Sequence, residues 1–204
     1  MDKFDLFLKI FLPLFVVALL LITYVYNIIS FKKKYGKDPR ATTKEDSIMY
    51  IIELYRSVMF VLTLIIIAVY ALLPEYYKYL LPVYYLENMY LQLSGVVLMI
   101  SGLILVRVAQ IQLKSSYRIG IDRSDKTTEL ITNGVYSWSR NPITLGLFII
   151  TIGVFFIIPN AITFTIVNLT FLVISIRSMI EEKHLENLHG EKYLNYKSKV
   201  RRWL

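Results

Sequence analysis

Long runs of apolar residues constrain this chain more than any other feature of its sequence. The hydrocarbon core of a bilayer is about 30 Å thick, and roughly 20 apolar residues in a helix cross it. The chain contains runs of about this length at 11–29, 58–73, 91–108, 143–158 and 161–176. The first can extend back through 4–10, and the second through 48–55. The sequence therefore predicts an all-α integral membrane protein with about five transmembrane helices.

The composition and the ends of these runs support that prediction. Hydrophobic residues make up 56% and charged residues 19% of the 204 residues, whereas a soluble domain has about 45–50% and about 25%. The first run lacks a small-residue cleavage site and is followed by three lysines at 32–34, which favours a retained helix over a cleaved signal peptide. Pro159-Asn160 is a turn signal between the last two runs, so these runs are predicted to form a helical hairpin.

The distribution of lysine and arginine predicts the orientation in the membrane. Seven lie between the first and second runs and one between the second and third. Six lie between the end of the third run, counting Arg107, and the start of the fourth, and seven follow the fifth. Because cytoplasmic loops carry an excess of these residues, we expect the N-terminus outside and the C-terminus in the cytoplasm. The net charge of +8 then reflects topology and contact with anionic membrane lipids, and no nucleic-acid partner is expected.

The residue inventory excludes several classes of enzyme. The chain contains no cysteine and only two histidines, which excludes thiolate zinc sites, iron–sulfur clusters and three-histidine metal sites. The dinucleotide fingerprint, the Walker A motif and HExxH are also absent from the sequence, so Rossmann-type cofactor binding is disfavoured. We therefore expect no metal centre.

Polar sequence is concentrated in residues 110–142 and 177–204, both predicted to be cytoplasmic. The first segment is long for a connector and too rich in apolar residues for a disordered one. Asn133-Gly134 is a turn signal, and Asn141 followed by Pro142 suits the start of a helix. A helix N-terminus can bind a carboxylate or a phosphate, but the spacing alone favours a simple helix start.

The second polar segment begins with charged residues at the end of the fifth run. Arg177 and Glu181 are four residues apart and share a helix face. They are either solvated flanks, the more common case, or the lining of a polar cavity. Glu182 points about 100° away from Glu181, so a different role is expected for it. His184 is about one turn beyond Glu181 and is more often a surface residue than a base at such a position.

Four pieces of sequence occur in a fixed order in this half of the chain. They are TELITNGVY at 128–136, Arg140-Asn141-Pro142, Arg177 with Glu181-Glu182, and GEKYLNY at 190–196 with Val200 and Arg202 after it. Together they resemble the superfamily of isoprenylcysteine carboxyl methyltransferases and phospholipid methyltransferases. The resemblance implies N-terminal transmembrane helices in 1–109 and a methyltransferase-like region in 110–204. That region would hold a cytoplasmic cofactor-binding loop, a helical hairpin and a C-terminal helix.

The resemblance also implies S-adenosylmethionine as the cofactor, bound at the cytoplasmic face. By position, its contacts would be Thr128, Glu129, Leu130, Ile131, Tyr136, Asn141, Pro142 and Glu181. Arg177 matches a position associated with the substrate, and Arg177 and Glu181 are the implied catalytic residues. Isoprenylcysteine members of the family have His where this chain has Asn141, and often Tyr where it has Thr144.

Methyl transfer requires positioning and placed charge more than a covalent nucleophile. Glu181 is expected to accept a hydrogen bond from the amino group of the cofactor or to balance its sulfonium. Backbone N–H groups after Pro142 would hold its carboxylate, and Tyr136 and Trp138 are candidates to stack on its adenine. Arg177 would orient an anionic acceptor. An amine or thiol acceptor would need a general base, for which the candidates are Glu181, Glu182 and His184.

The sequence thus favours methyl transfer to a lipophilic or membrane-borne acceptor, such as the carboxylate of a lipid-linked substrate. Phospholipid headgroup N-methylation is the enzymatic alternative. A reductase of the sterol-reductase type, using NADPH, is a second alternative. A membrane scaffold without activity is the third, with the basic loops and the tyrosine-rich stretch 76–90 as lipid contacts.

Overall fold

The computed structural model describes residues 3–36, 47–113 and 129–204, and all of their regular secondary structure is helical. The α-helices in chain order are α1 (Lys3–Leu20), α2 (Tyr26–Tyr35), α3 (Ser47–Leu72), α4 (Met89–Leu113), α5 (Pro142–Ile157), α6 (Ala161–His189) and α7 (Glu191–Lys199). A π-helical turn, Leu21–Val25, joins α1 to α2. Short 3-10 helices at Pro74–Leu80 and Tyr84–Leu86 lie before α4, and another at Gly134–Ser137 lies before α5.

Four helical stretches among the described residues are long and apolar enough to cross a membrane. They are Lys3–Lys34, Ser47–Leu72, Met89–Leu113 and Ala161–His189, and Pro142–Ile157 is a shorter apolar helix. The predicted all-α membrane fold is confirmed, and so are the backward extensions of the first two runs. Helix α6 continues 13 residues beyond the predicted end at Ile176. Arg177 and Glu181 therefore stand on the membrane-spanning helix itself.

Paired glycines bring α4 and α5 into close contact. A Cβ added at Gly102 would lie 2.7 Å from the carbonyl oxygen of Gly146, and one added at Gly95 would lie 2.7 Å from that of Gly153. Small residues at such crossings let helix backbones approach each other closely in membranes. The packing fixes the start of α5 next to the end of α4, where the polar segment 129–141 connects to both.

The turn between α5 and α6 is held from both sides. Asn160 caps α6 by accepting from the N–H groups of Ile162 and Thr163. The N–H of Val83 donates to the Pro159 carbonyl over 2.8 Å, so the tyrosine-rich loop packs on this turn. The turn predicted at Pro159-Asn160 is confirmed.

Candidate functional site

Segment 129–141 is attached to the end of α4 by polar contacts. Gly134 adopts a left-handed backbone with φ +61°, as the Asn133-Gly134 turn signal predicts. The next N–H, that of Val135, donates to Gln112 Oε1 over 3.0 Å. Tyr136 is buried, and its hydroxyl donates to the Ala109 carbonyl over 3.4 Å. The segment is therefore a fixed part of the structure and not a free loop.

The C-terminal residues hold the same segment from its other side. The Tyr196 hydroxyl donates to the Tyr136 carbonyl over 2.5 Å. The Ser139 hydroxyl donates to the Arg202 carbonyl over 3.0 Å, and the Arg140 N–H donates to the Arg201 carbonyl over 3.0 Å. Residues about 60 positions apart are joined at this point, which places α7 beside the start of α5.

Glu182 is the buried centre of this junction, with 4% of its surface exposed. Arg202 donates to both of its carboxylate oxygens, over 2.7 and 3.0 Å. Arg140 Nη2 lies 3.3 Å from Glu182 Oε1. This carboxylate is occupied by two arginines from different segments, so it joins α6 to the rest of the site and is poorly placed to act as a base.

Several buried donors around Glu182 have no hydrogen-bond partner in the described part of the chain. They are Arg140 Nε and Nη1, Asn141 Nδ2 and the Tyr193 hydroxyl. Native proteins rarely leave buried polar groups unsatisfied, so such a group calls for an explanation. Asn141 is the N-cap position of α5 but makes no side-chain cap. Helix geometry leaves the N–H groups of Ile143 and Thr144 without intrahelical partners. This donor set fits an anionic group such as a carboxylate.

Tyr193 enters this set as a neutral donor. Burial raises the pKa of its hydroxyl to about 12, the Glu182 carboxylate adds to the shift, and the Arg140 guanidinium opposes it. The hydroxyl therefore keeps its proton at neutral pH. The nearby Arg140 guanidinium has no acceptor for that proton, so the hydroxyl is left as an unpaired donor in the described part of the chain.

Glu181 lies beside the same cluster but differs from its neighbour. It is half-exposed, and its charge acts on the Tyr193 hydroxyl. Among the residues that the structure describes, no hydrogen bond or ion pair engages it. Its carboxylate is thus available at the edge of the donor cluster.

Arg177, one turn earlier on α6, points towards α3. Its Nη1 lies 3.8 Å from Glu53 Oε1, while Arg56 donates to the other oxygen of Glu53. The Nε of Arg177 is buried and has no hydrogen-bond partner within the described ranges. The sequence analysis missed Glu53, although an acidic residue within a mainly apolar helix was a signal that could have found it.

The remaining residues that were expected to contact the cofactor differ in how exposed they are. Glu129 is exposed, Leu130 and Ile131 are half-buried, and Pro142 is buried at the start of α5. Thr128 lies outside the described residues. Trp138 is 77% exposed whereas Tyr136 is 7% exposed, so Trp138 presents the ring that is free to stack on a ligand.

Comparison with known proteins agrees with this arrangement. The sequence model of the family described as phospholipid methyltransferase matches residues 90–192, half of the chain. The chain belongs to this family. The match includes α4, α5 and α6 and ends in α7, while Glu53 lies outside it. The resemblance drawn from the ordered motifs is confirmed.

Curated relatives of the chain are named as isoprenylcysteine methyltransferases. Protein-S-isoprenylcysteine O-methyltransferase of Rattus norvegicus is 33% identical over 115 residues, which are 54% of this chain and 40% of that protein. The protein of the same name from Saccharomyces cerevisiae is 38% identical over 72 residues, 35% of this chain and 30% of that protein. The chain thus spans well under half the length of these relatives.

A solved structure shares the fold. It is described as the eukaryotic intramembrane Ras methyltransferase ICMT, isoprenylcysteine carboxyl methyltransferase. The TM-score is 0.56 at 22% sequence identity, over 85% of this chain and 58% of that chain. This likeness supports an integral membrane fold for the family member described here.

Proposed function

We propose that this protein is a membrane methyltransferase that uses S-adenosylmethionine to methylate the carboxylate of a lipophilic or lipid-linked acceptor. The observation that carries the proposal is the cluster of buried, unpartnered donors from Arg140, Asn141 and Tyr193, seen among the described residues beside the unengaged Glu181. The names of the curated relatives agree with a prenylcysteine-type acceptor.

The donor cluster suits the amino-acid end of this cofactor. Arg140, the Asn141 amide and the first N–H groups of α5 would bind its carboxylate, with the positive end of the helix dipole adding attraction. Glu181 would accept from its amino group, and the exposed Trp138 ring would cover its adenine. When bound, the cofactor supplies an electrophilic methyl group on a sulfonium.

Arg177 would hold the acceptor. Its guanidinium can orient a carboxylate through charge-assisted hydrogen bonds, and such an acceptor already carries its negative charge. The chain then needs no general base, which agrees with the full engagement of Glu182 by two arginines. The task of the protein is to bring two reactants together, which can lower the activation barrier by up to about 7–11 kcal/mol in the best cases.

The proposed division of access explains why the site is at a membrane boundary. The polar cofactor would enter from the cytoplasm, where the basic segments and the C-terminus are expected. The apolar acceptor would arrive laterally from the bilayer. The N-terminus would then be on the outer side.

The test is calorimetric binding of S-adenosylmethionine to the detergent-purified protein, with Glu181→Gln beside it. We expect micromolar binding by the parent and binding weaker by about tenfold or more in the variant, about 1.4 kcal/mol. Labelled-methyl transfer into membrane extracts would then identify the acceptor. A folded, monodisperse parent that binds no S-adenosylmethionine would refute the proposal, and NADPH binding would then be tested.

Phospholipid headgroup N-methylation is a second candidate, favoured by the description of the matching family. An amine acceptor would need a base, and the unengaged Glu181 is the carboxylate positioned for it. Thin-layer analysis of lipids from cells with and without the protein separates the two. A new methylated headgroup supports this candidate, and unchanged phospholipids exclude it.

A further inference from the structure

The π-helical turn between α1 and α2 forms a polar junction inside a membrane span. The Thr23 hydroxyl donates to the Leu19 carbonyl over 2.6 Å. The Thr23 carbonyl in turn accepts from Asn27 Nδ2 over 3.1 Å and from Gln110 Nε2 over 3.0 Å. Single π turns within helices are frequent at functional sites. This one attaches the first span to α4 at a point that the proposed methyltransferase reaction does not use.

Arg107 of α4 brings a positive charge to this junction. Its guanidinium donates to Asn27 Oδ1 and lies 4.9 Å from the centre of the Tyr26 ring. Both partners are neutral, and no carboxylate in the described ranges pairs with Arg107. Arginines within membrane spans are normally paired with an opposite charge. The two neutral contacts fix the position of the guanidinium, and among the described residues its charge is left uncompensated.

A groove of about 550 Å³ opens beside this guanidinium. It is lined by Leu21, Ile22, Val25, Tyr26, Ile29 and Arg107. Cavities of about 300–1,000 Å³ are typical of sites for small ligands. The groove thus combines one fixed cation with a wall that is otherwise apolar or aromatic.

The depths of these residues match those of an amphiphile in one leaflet. Arg107 is six residues before the end of α4, about 9 Å along the helix axis. That distance places its charge within reach of the headgroups. Asn27 contacts Arg107 and is therefore at a similar depth. Along the first span, Leu21 comes six residues before Asn27, which places it about 9 Å deeper in the membrane. The apolar wall therefore runs from the charge towards the middle of the bilayer.

We propose that this groove binds an acidic phospholipid, with the phosphate at Arg107 and one acyl chain along Leu21, Ile22 and Val25. A zwitterionic lipid would place its cationic headgroup beside an arginine, with no described carboxylate at the groove to receive it. An acidic lipid has no such penalty, and cytoplasmic leaflets attract basic segments through their acidic lipids. The site uses none of the residues assigned above to methyl donor or acceptor.

Native mass spectrometry of the full chain in detergent tests the proposal. The protein is incubated with equal amounts of phosphatidylglycerol and phosphatidylcholine, and the retained lipids are counted. The parent should retain phosphatidylglycerol in preference by about fivefold, and Arg107→Gln should remove the preference. Lys78→Gln, the same charge change on an exposed residue of the tyrosine-rich loop, is the matched control and should keep it.

A second variant tests the apolar wall without a change in charge. Ile22→Trp fills the groove and should lower retention of phosphatidylglycerol. If Arg107→Gln does not fold, this variant alone tests whether the groove binds the lipid. Equal retention of both lipids by the parent overturns the proposal. So does a preference that survives in Arg107→Gln, or retention that is unchanged in Ile22→Trp.

Discussion

Glu181 and Glu182 are adjacent in the sequence and have opposite surroundings. Helix geometry separates their side chains by about 100°, so Glu182 enters the interior while Glu181 stays half-exposed. Glu182 meets two arginines there, one of them twenty residues away. The sequence predicted different roles for the pair; the structure gives them different surroundings, and the roles stay a prediction. The sequence did not supply the partner Arg202, because an ion pair at that separation follows from the tertiary fold.

Replacing Glu182 with Gln should destabilise the protein. The change leaves two arginines facing each other without their shared carboxylate, and breaking a buried pair on one side costs about 3–5 kcal/mol. Because Arg202 is 30% exposed, solvent screening favours the lower end of that range. Thermal unfolding in detergent measures it. Glu186→Gln, which breaks an exposed pair with Lys197, is the control and should cost under about 1 kcal/mol; equal losses would contradict the assigned role.

We expect the hydroxyl of Tyr196 to make the stability of the protein fall at alkaline pH. Burial, with a contribution from Tyr193, raises its pKa to about 12, against about 10 in the unfolded chain. The folded state therefore keeps a proton that the unfolded state loses. The raised pKa therefore stabilises the folded state fully below about pH 10, and this stabilisation is lost as the pH rises to about 12.

The comparison is between the parent and Tyr196→Phe. Near neutral pH the variant should be less stable by about 1 kcal/mol, because the bond to the Tyr136 carbonyl is lost. The difference between the two should shrink as the pH rises above about 10. Unfolding curves across this range measure it, and a constant difference would argue against the raised pKa.

Among the helices, α3 has a role that the family comparison does not describe. It lies outside the matched residues 90–192, yet its Glu53 faces Arg177 of α6. Arg56 on the same helix shares this carboxylate. Helix α3 thereby sets the position of an arginine proposed to bind the acceptor. The apolar run predicted this helix, but not which residue of α6 it would meet.

Glu53→Gln tests the link between these helices and depends on the proposed methyl transfer. Loss of the carboxylate releases Arg177, so the KM for the acceptor should rise by about tenfold. The affinity for S-adenosylmethionine should stay unchanged, since its proposed contacts are elsewhere. Glu75→Gln, an exposed carboxylate before α4, is the control. Equal effects of Glu53→Gln on acceptor and donor would indicate general damage and not a positioning role.

At the scale of the whole molecule, the sequence predicted what local patterns determine. The spans, the Pro159-Asn160 turn and the start of α5 at Pro142 follow from hydropathy, turn signals and the preference of proline for the first helical position, and the structure has them. Asn141 occupies the N-cap position of α5 without a side-chain cap. The contacts between Gly102 and Gly146 and between Glu182 and Arg202 depend on how distant helices meet. Single-sequence patterns do not contain that information. The predicted division at residues 109 and 110 falls within α4 and stays a prediction.

The orientation can be tested because the chain has no cysteine. Tyr79→Cys and Ser198→Cys each place a single thiol at an exposed position, at the predicted outer and cytoplasmic sides. A membrane-impermeant maleimide should label the first in intact cells and the second only after permeabilisation. The reverse pattern would invert the orientation predicted from the lysine and arginine counts.

The contacts that hold segment 129–141 also impose an order on biosynthesis. Tyr196 and Arg202 are translated about 60 residues after the residues that they fasten. At about 5–20 residues per second, that is a delay of several seconds. During this interval α4 and α5 can already pack through their glycines. The donor cluster before α5 acquires its final shape only after α7 and Arg202 have left the ribosome, so a nascent chain stalled before α7 would have an inserted membrane bundle without a finished site.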